Sequence, residues 1–355
     1  PVFTNLNLFT WINLFSGGAA TASLELDNVT VGEAWLDDDV NASAIAQNRE
    51  LLDFSMSNST VGQIGINGTT DLHALDFRFG AQSFVISDSV IETADDQGNS
   101  YAVRLAGPFA TQPIIERTRM TLGVPITSGS SFGVYAEAPT GAAGSFRLAN
   151  NVITNRGLGS QFWYGVFAID WIPEMFHNTL VAEHTGAARH LAVRADSGDM
   201  NGIELGNNLM IGTGALTHRA VEEIASGNSY SYNEFSGNGL FGTIDATQTA
   251  IENYNALGTV GANFVAVADP SLDANGRPQP GTTPYRVRSG GVDFTGAVPT
   301  DFDGTTRTVG TGVTVGAVEL DDVRTLRTVI FNGTIDGVGA GIFQAQIVDD
   351  GSTIA

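Results

Sequence analysis

A repeat of about thirty residues is the feature that most constrains the fold of this chain. Short apolar segments end in a polar residue at regular intervals. The steps between successive polar markers are 30, 30, 29, 33, 28, 29 and 26 residues. The markers are Asn28, Asn58, Asp88, Arg117, Asn150, Asn178, Asn207 and Asn233. A period between about 20 and 50 residues is typical of stacked repeat architectures, so the chain is predicted to stack copies of one small unit.

Each repeat contains three short strands. Apolar residues alternate before the marker, as Leu24 and Leu26 show, so one face of that strand points inward. A second strand follows the marker, and a third contains alternating residues such as Leu75, Phe77 and Phe79. This pattern predicts an all-β fold, a right-handed parallel β-helix in which every strand pairs with its counterpart one turn away. One turn is called a coil below.

The polar marker is expected at a corner between two strands. Asn tolerates left-handed backbone geometry there, and its side chain bonds to nearby backbone groups. A leucine-rich repeat does not fit because its leucine frame is missing, and the repeat is shorter than a propeller blade. The remaining alternative is an ordinary β-sandwich with accidental spacing.

The repeat fades after about residue 240, which predicts three regions. Residues 1–240 would form the β-helix coils, 241–320 the final coils and a loop-rich cap, and 321–355 a C-terminal β extension. A cap is expected because an open last coil exposes unpaired strand edges. The extension reads as two strands around a Gly-rich turn, which could complete the cap, act as a linker or begin another domain, or pair with a neighbouring molecule.

Composition excludes several kinds of partner. The chain has 38 acidic residues against 16 basic ones, all of them Arg, and a formal net charge of −22. This charge repels phosphate backbones and anionic lipid surfaces, so nucleic-acid binding is not expected. Membrane insertion is not expected either, because no apolar stretch of about eighteen residues is present. Without Lys, a lysine-dependent polysaccharide lyase mechanism is excluded.

The region after residue 260 carries four short motifs in chain order: Asp269-Pro270, a Pro-rich connection at 277–284, Asp301 to Arg307 with Gly304 between them, and Gly316 to Glu319. Together with the preceding repeat, this arrangement resembles bacterial right-handed parallel β-helix proteins of the choice-of-anchor type, within the pectate-lyase-like β-helix superfamily. The resemblance covers most of residues 20–320 and implies architecture more than activity. Thr314 is a departure, because the final motif of the family usually has Asp there.

The densest group of aromatic and ionisable residues lies between 162 and 196. Proteins of this architecture often carry polysaccharide-active sites on a strand face, and adjacent coils could bring distant residues together. Asp170, His184 and Arg194 are therefore candidate acid, base and charge stabiliser for a glycan reaction. The alternative is that these side chains are merely solvated in a strongly acidic chain.

Aromatic residues of the same segment could contact a substrate. Trp163, Tyr164 and Trp171 are the candidates, because aromatic rings offer large contact areas with a polar tip. The alternative is that they only cover a lateral groove.

Calcium is the cofactor most worth considering, since it prefers hard carboxylate oxygens. Asp301 and Asp303 are candidate ligands, although the calcium-loop patterns of EF-hands and β-rolls are missing. A structural turn of the cap is the alternative explanation, and no cofactor is required by any motif.

The leading hypothesis is a secreted or cell-surface structural module for adhesion, envelope coating or assembly with copies of itself. The absence of a recognisable reaction motif favours this non-enzymatic role. The alternative is a polysaccharide lyase, a glycoside hydrolase or a glycan-binding protein that uses the groove around 162–196.

Overall fold

The computed structural model is an all-β chain whose strands stack as a parallel β-solenoid. The structure describes residues 2–8, 12–14, 23–31, 34–36, 42–47, 51–66, 71–93, 98–123, 129–138, 144–157, 162–184, 190–196, 203–213, 218–223, 234–236, 238–242, 264–267, 269–279, 287, 290–307, 313–320, 326–335 and 339–348. The predicted parallel β-helix architecture is confirmed.

Three ladders of parallel strands run along the solenoid, and the first two belong to one eighteen-stranded sheet. The first ladder contains β1 (Val2–Leu8), β3 (Leu24–Val31), β6 (Leu51–Ser57), β9 (Ala81–Ser87), β12 (Ile114–Glu116), β15 (Gly144–Ala149), β18 (Trp171–Phe176), β21 (Glu204–Gly206) and β24 (Glu234–Ser236). The second contains β4 (Ala34–Leu36), β7 (Thr60–Ile66), β10 (Val90–Thr93), β13 (Arg119–Leu122), β16 (Val152–Gly157), β19 (Thr179–His184), β22 (Leu209–Thr213), β25 (Asn238–Gly242) and β26 (Phe264–Ala266).

The third ladder is a separate eight-stranded sheet. It contains β2 (Ile12–Leu14), β5 (Ala42–Gln47), β8 (Leu72–Phe77), β11 (Ser100–Leu105), β14 (Ser130–Glu137), β17 (Phe162–Ile169), β20 (His190–Asp196) and β23 (His218–Glu223). The two segments predicted after residue 320 form an antiparallel hairpin of β27 (Leu326–Ile335) and β28 (Gly339–Val348).

The thirty-residue repeat sets the register in which successive coils stack. Leu24 pairs with Phe54, and Phe54 pairs with Phe84, so residues thirty positions apart lie on top of one another. All three side chains point into the central core. Phe54 also packs against Phe77 of the third ladder, with ring centroids 4.4 Å apart, so the core joins the eighteen-stranded and eight-stranded sheets. Inward-facing residues therefore fix the register, because a one-residue slip would turn them outward.

The corner after the first ladder has the predicted left-handed geometry. Positive φ angles between 46° and 57° occur at Asn28, Asn58, Asp88, Arg117, Asn150, His177 and Asn207. The prediction was wrong by one residue in the sixth coil, where His177 occupies the corner instead of Asn178. Asn233 lies outside the described residues.

A column of buried polar side chains follows the corner and was missed by the sequence analysis. Its members are Ser59, Ser89, Thr118, Asn151, Asn178, Asn208 and Asn238. Along most of this corner column the side-chain oxygen accepts the N–H of the equivalent residue in the preceding coil, as Asn178 Oδ1 does from Asn151 N at 2.9 Å. The amide nitrogen of each Asn donates to a strand carbonyl of an earlier coil, as Asn178 Nδ2 does to Leu148 O at 2.9 Å. These bonds satisfy buried backbone groups at the corner.

The C-terminal region packs along the side of the solenoid. Val267, Val287 and Val315 form an apolar cluster with residues of β19 and β22, while Phe294 and Val298 pack on Phe176. The described residues of 241–320 thus both extend the second ladder, through β26, and cover a flank of several coils.

We expect Asn178→Ala to lower the free energy of unfolding by about 3 kcal/mol, because it leaves a buried N–H and a buried carbonyl unpaired. Thr30→Ala, on an exposed position of β3, is the control and should change stability by less than about 0.5 kcal/mol. Chemical denaturation of both variants measures the difference. Equal stability of the two would show that the corner column does not hold the coils together.

Candidate functional site

The outer face of the eight-stranded sheet carries a continuous column of rings. His73, Tyr101, Phe132 and Tyr164 occupy matching positions in successive coils. Neighbouring ring centroids are 4.6, 4.7 and 5.0 Å apart, and the ring planes lie within 13° of parallel. The spacing follows from the strand separation of about 4.8 Å, which suits stacking of equivalent rings.

A second column runs beside the first on the same outer face. It contains Asp76, Arg104, Tyr135, Phe167 and Arg194 in consecutive coils. The Tyr135 and Phe167 rings are stacked at 5.4 Å. We call the two columns together the aromatic face. Its rings form a cluster separate from the central core, which places them on the opposite side of the sheet.

Arginines lie over the rings of the aromatic face. The Arg194 guanidinium carbon is 5.0 Å from the Phe167 centroid and 5.7 Å from that of Tyr164. Arg194 also donates from Nη1 to the Tyr164 hydroxyl at 3.2 Å. These cation–π contacts and the hydrogen bond to Tyr164 hold the guanidinium over the rings. Because Tyr164 is only 5% exposed, most of its surface already contacts protein.

His73 begins the first column and is fully buried. Arg104 Nη1 lies 3.5 Å from His73 Nε2, and the nearby Asp76 pairs with Arg78 at 2.5 Å. Burial lowers the pKa of His73 to about 4, although the charge of Asp76 opposes that shift. The imidazole is therefore neutral at physiological pH. Sequence analysis missed this cluster, but its members are about one repeat apart, and aligning the repeats would have shown them.

The three candidate catalytic residues lie on different parts of the coils. Asp170 is an exposed corner residue directly after β17, and Arg194 lies within β20 on the aromatic face. His184 ends β19 of another sheet, ahead of the beginning of β20. Asp170 therefore follows the C-terminal ends of the third-ladder strands, whereas His184 leads into their N-terminal ends. An eight-residue strand such as β17 spans about 25 Å, so Asp170 and His184 are separated rather than brought together.

The candidate substrate-binding aromatics are also divided between different places. Trp163 and Trp171 are 2% and 3% exposed and belong to the central core. Tyr164 alone joins the aromatic face. Their high burial reflects packing of large rings inside the coils, which the sequence pattern could not distinguish from a groove.

Trp171 nevertheless borders a cleft on the surface. The cleft has a volume of about 280 Å³ and is lined by residues 107–113, 144, 145 and 171. Phe109 packs edge to face on Trp171, with centroids 5.5 Å apart. Gln112 Nε2 donates to Ser145 Oγ at 2.7 Å across it. None of the described residues that line this cleft carries a charge, which sets it apart in an acidic chain.

The candidate calcium ligands are engaged by the protein itself. Asp301 Oδ1 accepts the N–H groups of Asp303 and Thr305 at 2.9 and 2.7 Å, and Oδ2 accepts that of Glu319 at 2.8 Å. Asp303 forms an ion pair with Arg277. Among the described residues, no group of three or more His, Asp or Glu side chains is arranged to hold a metal ion. These contacts fit the structural turn that the sequence offered as the alternative.

Arg307 connects this turn to the solenoid. Its fully buried side chain pairs with Glu319 at 2.9 Å and donates to Asn150 Oδ1 at 2.6 Å. Burial lowers the pKa of Arg307 to about 10, and the charges of Glu319 and Asp301 oppose this shift. Thr314, which stands where the resembling family usually has Asp, accepts the Leu320 N–H through its hydroxyl at 3.0 Å.

No family model matches the chain, and neither a curated protein nor a solved structure is significantly similar to it. In the part of the chain that the structure describes, no helix has the length and apolar character needed to cross a membrane.

His73 should make stability fall in acid. Its folded pKa is lowered from 6.5 to about 4, so the unfolded chain binds a proton more readily between these values. The stabilisation is complete above pH 6.5 and is lost as the pH falls, by about 3 kcal/mol in all. We expect His73→Phe, which keeps a ring in the column, to reduce the acid-dependent loss of unfolding free energy by that amount. Identical pH profiles for the two proteins would contradict the assignment.

Proposed function

We propose that this chain is a secreted or cell-surface structural and adhesive module that associates with copies of itself. The observation that carries the proposal is the corner column from Ser59 to Asn238, in which side-chain hydrogen bonds tie neighbouring coils together. A stack held together by buried hydrogen bonds between uncharged groups suits a rigid spacer or scaffold, whose length grows by about 4.8 Å per coil.

The placement of the ionisable residues supports a non-catalytic role. The candidate acid and base are separated, and the fully buried His73 ring stacks on Tyr101 with its Nε2 beside Arg104. General acid–base catalysis needs an acid and a base that both lie within hydrogen-bond reach of the reacting atoms of one substrate. The positions of Asp170 and His184, at opposite ends of the third-ladder strands, do not favour such an arrangement.

We also propose kinship with bacterial β-helix proteins of the choice-of-anchor type. The motif from Asp301 to Arg307 and the segment from Gly316 to Glu319 support it, because they build one buried turn and ion pair that docks on the coils. The kinship rests on these motifs and on the solenoid architecture. It would place the module outside the cell, where such a stable rod serves attachment or envelope assembly.

Self-association is tested by negative-stain electron microscopy of the full chain over a range of concentrations and ionic strengths. We expect regular filaments or lattices, favoured by salt because screening weakens repulsion between chains of net charge −22. Ala345→Pro, which removes a backbone donor within β28, should abolish them if the hairpin joins the copies. Thr30→Ala is the control. Monomers under all conditions, combined with specific cleavage of a polysaccharide, would overturn the proposal.

Glycan binding is a second candidate function, favoured by the uncharged cleft between Phe109 and Trp171. An aromatic wall next to the hydroxyl of Ser145 and the amide of Gln112 suits a neutral sugar, which presents both C–H faces and hydroxyls. The aromatic face is the rival site within the same candidate function, through Tyr164 and Arg194.

Tryptophan fluorescence with neutral and acidic oligosaccharides tests this second function. Phe109→Ala should weaken binding of a neutral oligosaccharide at least tenfold, since it removes one wall of the cleft. Phe162→Ala, whose exposed ring stacks on Tyr164 of the aromatic face, should leave it unchanged. The reverse pattern would assign binding to the aromatic face, and no binding by the wild type would remove this candidate function.

A further inference from the structure

One segment of the C-terminal region docks on three successive corners of the solenoid. Residues 290–320 contact Asn150, His177 and Asn207, which share the left-handed corner position. We call the described part of this stretch the docked segment. Asn150 and Asn207 are neutral under all conditions, so His177 is the one corner in this contact whose charge can change.

Both nitrogens of His177 are used in the docked state. Its Nδ1 lies 3.2 Å from Thr314 O, and a carbonyl only accepts, so Nδ1 carries the proton. Its Nε2 lies 3.1 Å from Asn207 Nδ2 and accepts from that amide. The ring is fully buried and neutral.

The amide of Asn207 cannot turn round to receive a second imidazole proton. Asn207 Oδ1 accepts the Val292 N–H at 2.8 Å, and Nδ2 donates to Val292 O at 2.6 Å. This pairing with the docked segment fixes which end of the amide faces His177. A proton on Nε2 would therefore point at a donor, and relieving the clash would break both bonds to Val292.

The charges around His177 also oppose protonation. Arg307 of the docked segment is buried nearby and repels a second cation. The two nearby carboxylates are already engaged, because Glu319 pairs with Arg307 and Asp301 accepts the backbone N–H of Glu319. Asn150 and Asn207 on the coil side, and the edge-on ring of Phe294, bring no charge. Burial and Arg307 accordingly hold the pKa of His177 well below its usual range.

We propose that His177 is a pH-sensitive latch: uptake of one proton by its imidazole releases the docked segment from the coil corners while the solenoid stays folded. The corner column does not depend on this event, because its bonds to Asn178 and Asn208 join uncharged groups within the coils. Detachment would uncover Phe176 and the corner face of at least two coils.

The pH dependence of release follows from the linkage between proton binding and docking. The released state takes up the proton with an ordinary histidine pKa near 6.5, whereas the docked state does not. The equilibrium for release then rises at most tenfold per pH unit below that value, or about thirtyfold between pH 7.5 and 5.0. The docked state is fully favoured above pH 6.5 and loses its advantage as the pH falls.

Hydrogen exchange of the full chain, expressed as protection factors at pH 7.5, 6.5 and 5.0, tests the latch. In the wild type, the amides of Val292 and Gly316, which bond to Asn207, should lose protection by up to about thirtyfold at pH 5.0. The amides of Asn178 and Asn208 should keep theirs.

His177→Asn places at this corner the residue found at Asn150 and Asn207, which tolerates the φ of 54°. In this variant, the amides of Val292 and Gly316 should show the same protection at all three pH values. In the control variant His73→Phe, these amides should lose protection in acid as they do in the wild type. If His177→Asn retains the acid response, or the wild type has none, the latch is refuted. An NMR titration of the histidines in the wild type tests the latch without relying on the folding of a variant. An ordinary pKa for His177 would refute the latch.

Discussion

The fold depends on how the chain satisfies its backbone at the corner between the first two ladders. Strand pairing stops there, so a buried N–H would lack an acceptor without the side chains of the corner column. Hydroxyl members bond back to their own coil, as Ser59 does to Ser57 O at 2.7 Å. Amide members reach across coils with both ends, as Asn178 does. Bonding between coils is therefore densest from Asn151 to Asn238, the part of the column on which the C-terminal region docks.

Repeat length and fold class could be predicted from the sequence because burial fixes both. Inward residues such as Leu24, Phe54 and Phe84 must keep one register, and the spacing between them is directly readable. The same reasoning misplaced the corner at Asn178. Asn favours left-handed geometry and also suits the buried column, and only the structure shows that His177 takes the first position and Asn178 the second.

The candidate site was missed because neighbours on a solenoid face are a whole repeat apart in sequence, so they form no local cluster along the chain. Density along the chain drew attention to 162–196, yet that segment runs from β17 to β20 through all three ladders and disperses Asp170, His184 and Arg194. The aromatic face instead gathers one or two residues from each coil, from His73 to Tyr164. In such a fold, residues that share a face become visible when the repeats are aligned column by column, because local clusters along the chain are spread over different faces.

The solenoid and its docked segment rely on different chemistry, and this difference determines how each responds to its surroundings. Uncharged amide and hydroxyl bonds hold the corner column, so salt and moderate acid change them little. The docked segment instead depends on a buried ion pair between Arg307 and Glu319 and on a neutral His177 beside that cation. Breaking a buried pair leaves an uncompensated charge, and charging the imidazole adds one. Under the proposed latch, the flank therefore changes with pH while the corner column of the coils beneath it keeps its hydrogen bonds.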